Sequence, residues 1–225
     1  DGFRAYRNIQ IGKNLAATAE PFERMPENPA MRILVTGDST AVGTGVTNNT
    51  FSTAGRLGEY FQNAAIRNIS VNGLRLQGLR ELLEDVSLEE QDFTVVQIGG
   101  NDIIYNTSYE VIARELRAVL DILSKKSSHV SVLHTGLVGE APIFPWYVGM
   151  YFNNKSREVR DIYRSVISEF ENVVYVDLIE AGTRPSAPDT DRELYYAPDN
   201  LHLSDVGYGA WFDEIVLSLP EQYQR

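Results

Sequence analysis

From Met31 onward the chain alternates between short apolar runs and longer stretches of helical period. Arg32-Ile33-Leu34-Val35-Thr36-Gly37 is brief, apolar and rich in β-branched residues, as expected of a parallel strand buried on both faces. Runs of the same kind lie at Ile66 to Val71, Phe93 to Ile98, Val130 to Thr135 and Val173 to Val176. Between the third and fourth runs, Ile112, Leu116, Val119, Leu120 and Leu123 fall on one helical face. Thr107 with Glu110 reads as a capping box at its start, and Lys125 and Lys126 suit its end. Val159, Ile162, Tyr163, Val166, Ile167 and Phe170 form a second such face, and Tyr208, Trp211, Phe212, Ile215 and Leu219, after Ser204, a third. Five strands alternating with helices predict an α/β domain with a mainly parallel sheet. Residues 1–30 are weakly patterned and end in Pro26-Glu27-Asn28-Pro29. They read as an N-terminal extension that packs on the domain or leads into it, and residues 31–225 as one domain.

Composition narrows the class. A chain of 225 residues with 43% hydrophobic and 23% charged side chains can bury a single large core and is neither disordered nor a membrane bundle. Lys and Arg number 20 against 31 Asp and Glu, a net charge of −11, which disfavours nucleic acid and anionic lipid surfaces as partners. With no Cys, disulfides, thiolate metal sites and cysteine nucleophiles are excluded. No run of about 18 apolar residues is present; an export signal or membrane anchor, if the protein has one, would lie upstream of Asp1.

In open parallel sheets, ligands bind beyond the carboxyl ends of the strands. Gly37-Asp38-Ser39-Thr40 follows the first strand, Asn72-Gly73 the second and Gly99-Gly100-Asn101-Asp102 the third; Asp199-Asn200-Leu201-His202 comes beyond the fifth. Together these groups could perform acyl transfer. A serine hydroxyl needs a base to become a nucleophile, and the imidazole of His202 is a natural candidate for that base. Asp199, three residues earlier, is spaced to orient the imidazole and to stabilise the imidazolium that forms. The backbone N–H of Ser39, the unobstructed N–H of Gly73 and the side-chain amide of Asn101 are candidate donors to an oxyanion.

Gly37-Asp38-Ser39, Asn68 to Gly73, Gly100-Asn101-Asp102 and Asp199-x-x-His202 resemble, in order, the four motif blocks of the SGNH (GDSL-type) hydrolases. From Asp199 to Tyr208 the likeness extends through the flank of the last block, except that Leu203 stands where proline is usual. The resemblance spans roughly residues 31 to 220. It implies a flavodoxin-like three-layer α/β/α sandwich with a five-stranded parallel sheet. It also implies an esterase with Ser39 as nucleophile, His202 as base, Asp199 completing the triad, and Ser39, Gly73 and Asn101 forming the oxyanion hole. No cofactor is expected, and the substrate would be a small ester: an acylated sugar, a lipid or a short-chain ester. Acyl transfer to a sugar or lipid alcohol, or a non-catalytic binding module on the same fold, are the alternatives.

Each residue also has a structural reading. Ser39 could cap a helix, Asp38 could bond nearby backbone N–H groups in an Asx turn, Gly73 could serve a turn of positive φ, and Asn101 and Asp102 could be turn formers. His202 could be a surface histidine. Joint occurrence favours the catalytic reading. His129 and His134, with no carboxylate at useful spacing, read as structural. With three His and no Cys, a metal site lacks ligands. Ile143 to Phe152 is the densest aromatic run and reads either as core packing or as an apolar wall beside the site.

Overall fold

In a computed structural model, residues 2–182 and 192–224 are described. The strands are β1 Met31–Gly37, β2 Ala64–Asn68, β3 Gln91–Gln97, β4 Ser127–Leu133 and β5 Val173–Val176. They pair in parallel throughout, in the order β2-β1-β3-β4-β5. This is a doubly wound order whose direction reverses between β1 and β3, the switch point at which such sheets take ligands. The helices are α1 Gly2–Thr18, α2 Ser39–Val42, α3 Thr53–Tyr60, α4 Leu76–Asp85, α5 Gly100–Ile104, α6 Tyr109–Leu123, α7 Trp146–Ile167, α8 Leu178–Ala181 and α9 Asp205–Ser218.

Alternation along the strands divides the core in two. Leu34, Val96, Ile98, Val130 and Val132 point to a layer built by α4, α6 and α7, through side chains such as Leu79, Leu116 and Val159. Ile33, Val35, Ile66, Phe93 and Val95 point the other way, to Ala54 and Leu57 of α3 and Ile215 and Leu219 of α9. The result is the three-layer sandwich with a five-stranded parallel sheet that the family resemblance implied.

Boundaries differ in places. The second strand ends at Asn68, short of Val71, because the Asn68 side chain turns the chain: its Oδ1 accepts the Ser70 N–H at 3.1 Å and its Nδ2 donates to the Ala41 carbonyl at 2.9 Å. The cap of α6 is Ser108 rather than Thr107, its Oγ accepting the Val111 N–H. Helices α1, α3 and α4 lie outside the helices that the sequence pattern predicts. His134 is fully buried, its Nδ1 accepting the Gly136 N–H at 3.0 Å, and His129 stacks on Phe93.

Candidate active site

The site is built from the loops that leave β1 and β3 at the switch point. Gly37 ends β1 with φ +143°, and a Cβ there would collide with the Gln97 carbonyl of β3. Only glycine lets the two strand ends approach this closely. The Asp38 N–H then donates to that same carbonyl at 3.0 Å. Asp38 Oδ1 accepts the Thr40 N–H at 2.9 Å and its hydroxyl at 2.7 Å, capping α2. Ser39 is thereby fixed as the first residue of the helix. Burial pushes the Asp38 carboxyl up to about 6 against the opposing pull of the Thr40 bonds and of His202.

The other loops are interlocked. Gly73 has φ +79°, the left-handed conformation a tight turn requires, and the next carbonyl, that of Leu74, accepts Asn101 Nδ2 at 3.0 Å. Asp102 accepts the Leu76 N–H at 2.9 Å, tying α5 to the start of α4; burial raises its pKa as well. Asn72 spans two elements: its Oδ1 accepts the Thr44 hydroxyl at 2.6 Å and its Nδ2 donates to the Ala16 carbonyl at 3.0 Å.

On the C-terminal side, Asp199 Oδ1 accepts the N–H groups of Leu201 and His202, both at 3.0 Å, and Oδ2 pairs with His202 Nδ1 at 2.6 Å. The carboxylate is 1% exposed. Burial alone would raise its pKa, but the His202 bond and charge with the two backbone donors outweigh it and hold it below the ordinary range. Tyr208, fully buried on α9, donates its hydroxyl to the Thr44 carbonyl at 3.1 Å and so binds the last helix to the turn after Ser39.

Ser39, Asn101 and His202 line one cavity of about 220 Å³, walled by Ile104, Leu137, Val138, Leu178, Leu203 and Trp211. Thus residues more than 160 positions apart converge at one rim. Gly73 is not among the lining residues; it adjoins the site through the Leu74–Asn101 bond. The aromatic run divides: Phe144 and Phe152 pack together against the core, whereas Trp146, Tyr147, Met150 and Tyr151 are exposed. None of residues 143–152 lines the cavity. Among the described residues, no three His, Asp or Glu side chains converge as a metal site. The bracing roles of Asn72 and Tyr208 and the wall formed by Trp211 had no spacing signal in the sequence.

Comparison with known proteins bears on this arrangement. The profile of the GDSL-like lipase/acylhydrolase family matches residues 35–210. The chain belongs to the GDSL-like lipase/acylhydrolase family. As a GDSL-like enzyme it is a hydrolase of carboxylic esters, and its substrates are small-molecule esters. No curated protein sequence matches it. Among solved structures, a catalytic mutant of the acetylxylan esterase Axe2 from Geobacillus stearothermophilus superimposes with a TM-score of 0.67 at 15% identity, over 89% of this chain and 99% of that one. A lipolytic G-D-S-L family protein from Veillonella parvula gives 0.64 at 18% identity, over 84% and 97%. The hydrolase LAE5, from the metagenome of Lake Arreo, gives 0.66 at 15%, over 84% and 95%. At these identities the likeness is one of fold.

Proposed function

We propose that this GDSL-like hydrolase is a serine esterase working through an acyl-enzyme intermediate. The observation that carries the reading is the Asp199–His202 couple, closed at 2.6 Å, opening on the same cavity as Ser39. In this reading the Ser39 oxygen attacks the ester carbonyl carbon while His202 Nε2 takes the hydroxyl proton. The tetrahedral intermediate then collapses: the bond to the alcohol oxygen breaks, and His202 returns the proton to the leaving alcohol. Water, activated by the same imidazole, attacks the acyl-serine, releases the acid and restores Ser39. Asp199 holds the Nδ1–H tautomer and stabilises the transient imidazolium. The Ser39 N–H, the Gly73 N–H and the Asn101 amide receive the charge that develops on the carbonyl oxygen. Asn101 is suited to this because its bond to the Leu74 carbonyl uses one amide hydrogen and orients the other.

A cavity of about 220 Å³ with Ile104, Leu137, Val138 and Leu178 in its walls suits a short acyl group, in keeping with the acetyl ester named for one structural neighbour. The test is hydrolysis of p-nitrophenyl acetate by the wild type and by Ser39→Ala. The substitution is expected to abolish turnover while leaving the circular-dichroism spectrum intact; undiminished turnover would overturn the mechanism. Across p-nitrophenyl esters from acetyl to palmitoyl, the rate is expected to fall as the chain lengthens.

A further inference from the structure

Asp199 is almost wholly shut from solvent, and part of its cover comes from the segment preceding β1. Helix α1 lies across the carboxylate: a Cβ on Gly12 would stand 2.9 Å from Asp199 Oδ2 and 3.7 Å from its Cβ and Cγ. Oδ2 is the oxygen that holds His202 Nδ1. Because Oδ1 is fixed by two backbone N–H groups, the carboxylate has no free torsion with which to turn aside. The helix is seated independently of this contact, through the bond from Asn72 Nδ2 to the Ala16 carbonyl. Leu15, Thr18 and Ala19 also face the segment 43–49 that follows α2. Gly12, Leu15, Ala16 and Ala19 recur at the spacing of one helical face.

We propose that α1 is a positioning element for the Asp199–His202 couple, and that Gly12 is the residue whose missing side chain lets the helix close over Asp199 Oδ2. The inference rests on the reading of Asp199 as the acid of the triad. A carboxylate kept from water attracts the imidazolium more strongly than a hydrated one. That charge exists only once Ser39 has given up its proton, so the cover acts on the transition state and leaves substrate binding alone.

The test is Gly12→Ala, which favours the helix rather than weakening it and adds one methyl group against Oδ2. The expected result is a fall in kcat of about tenfold with KM within about twofold of wild type. The rate of fluorophosphonate labelling falls by the same factor, and the downfield His202 Nδ1–H proton resonance moves. Lys13→Ala, exposed on the next position, leaves all of these unchanged. In an Asp199→Asn background, Gly12→Ala is expected to cause no further loss, because the two residues act as one unit. Wild-type kcat in Gly12→Ala, or a loss of equal size in the Asp199→Asn background, overturns the proposal. If Gly12→Ala does not fold, Leu15→Asn loosens the seat of α1 without bringing an atom against Asp199. The same loss confined to kcat is expected there, and wild-type kcat overturns the proposal. A wild type that neither turns over ester nor takes up fluorophosphonate would instead overturn the reading of the site itself.

Discussion

The groups at and beside the cavity differ in how firmly they are held. Asp199 spends both oxygens on fixed donors, whereas Asn101 is oriented by one bond to the Leu74 carbonyl. Replacing Asn101 by alanine removes a donor without disturbing the couple. The expected effect is a loss of about 10²–10³ in kcat, with fluorophosphonate labelling of Ser39 slowed but not abolished; an unchanged kcat would remove Asn101 from the oxyanion role. At this scale the sequence was informative because chemistry demands particular residue types at strand ends: Asp38, Ser39, Asn101 and His202 line one cavity, and Asp199 is bonded to His202. The bracing roles of Asn72 and Tyr208 and the place of Gly12 were not legible. Their contributions are contacts between segments distant in sequence, such as the Tyr208 bond to Thr44, and no local pattern encodes them.

The elements that carry these residues are bound to one another by polar ties. Tyr208 joins α9, which follows His202, to the turn after Ser39, and its hydroxyl is buried against the Thr44 carbonyl. Tyr208→Phe is expected to lower stability by about 1 kcal/mol, more if the carbonyl stays unsatisfied. The readout is the urea midpoint, and an unchanged midpoint would show the tie to be idle. The strands were readable as short apolar runs because the sheet is covered on both faces; α6 and α7 were readable because each is long and one-sided, and α9 because it is long and rich in apolar residues. Helix α4 was not, although Leu76, Leu79 and Leu83 are buried. It is only three turns long and Arg75 gives it no side-chain cap, so no start signal marks the i, i+3, i+7 spacing of these leucines. The cap of α6 fell one residue from its expected place because Thr107 and Ser108 are adjacent and either can accept a helix N–H.

For the whole molecule, buried carboxyls pull stability in two directions with pH. Asp199 is held below the ordinary carboxylate range, and Glu115 is too, because its ion pairs with Arg80 and Arg114 outweigh its burial. Such groups contribute stability above the unfolded-state value, and the contribution is lost as pH falls through the lower folded value. Asp38, raised to about 6 by burial, has the opposite sign. Between about pH 4 and 6 the folded state binds more protons there than the unfolded chain, so stability declines as pH rises through that window and remains lower above it. Asp38→Asn keeps an oxygen for Thr40 and removes the charge. Its urea midpoint is expected to decline less between about pH 4.5 and 7, with a gain at neutral pH of up to about 3 kcal/mol; a decline equal to that of wild type would contradict this assignment.

The proposed esterase chemistry requires that Ser39 be a nucleophile activated by His202. The most direct measurement is reaction with a fluorophosphonate followed by peptide mapping. One adduct per chain is expected, on Ser39, formed far more slowly in His202→Ala. A chain that takes up no label, or carries it on another residue, would contradict that chemistry.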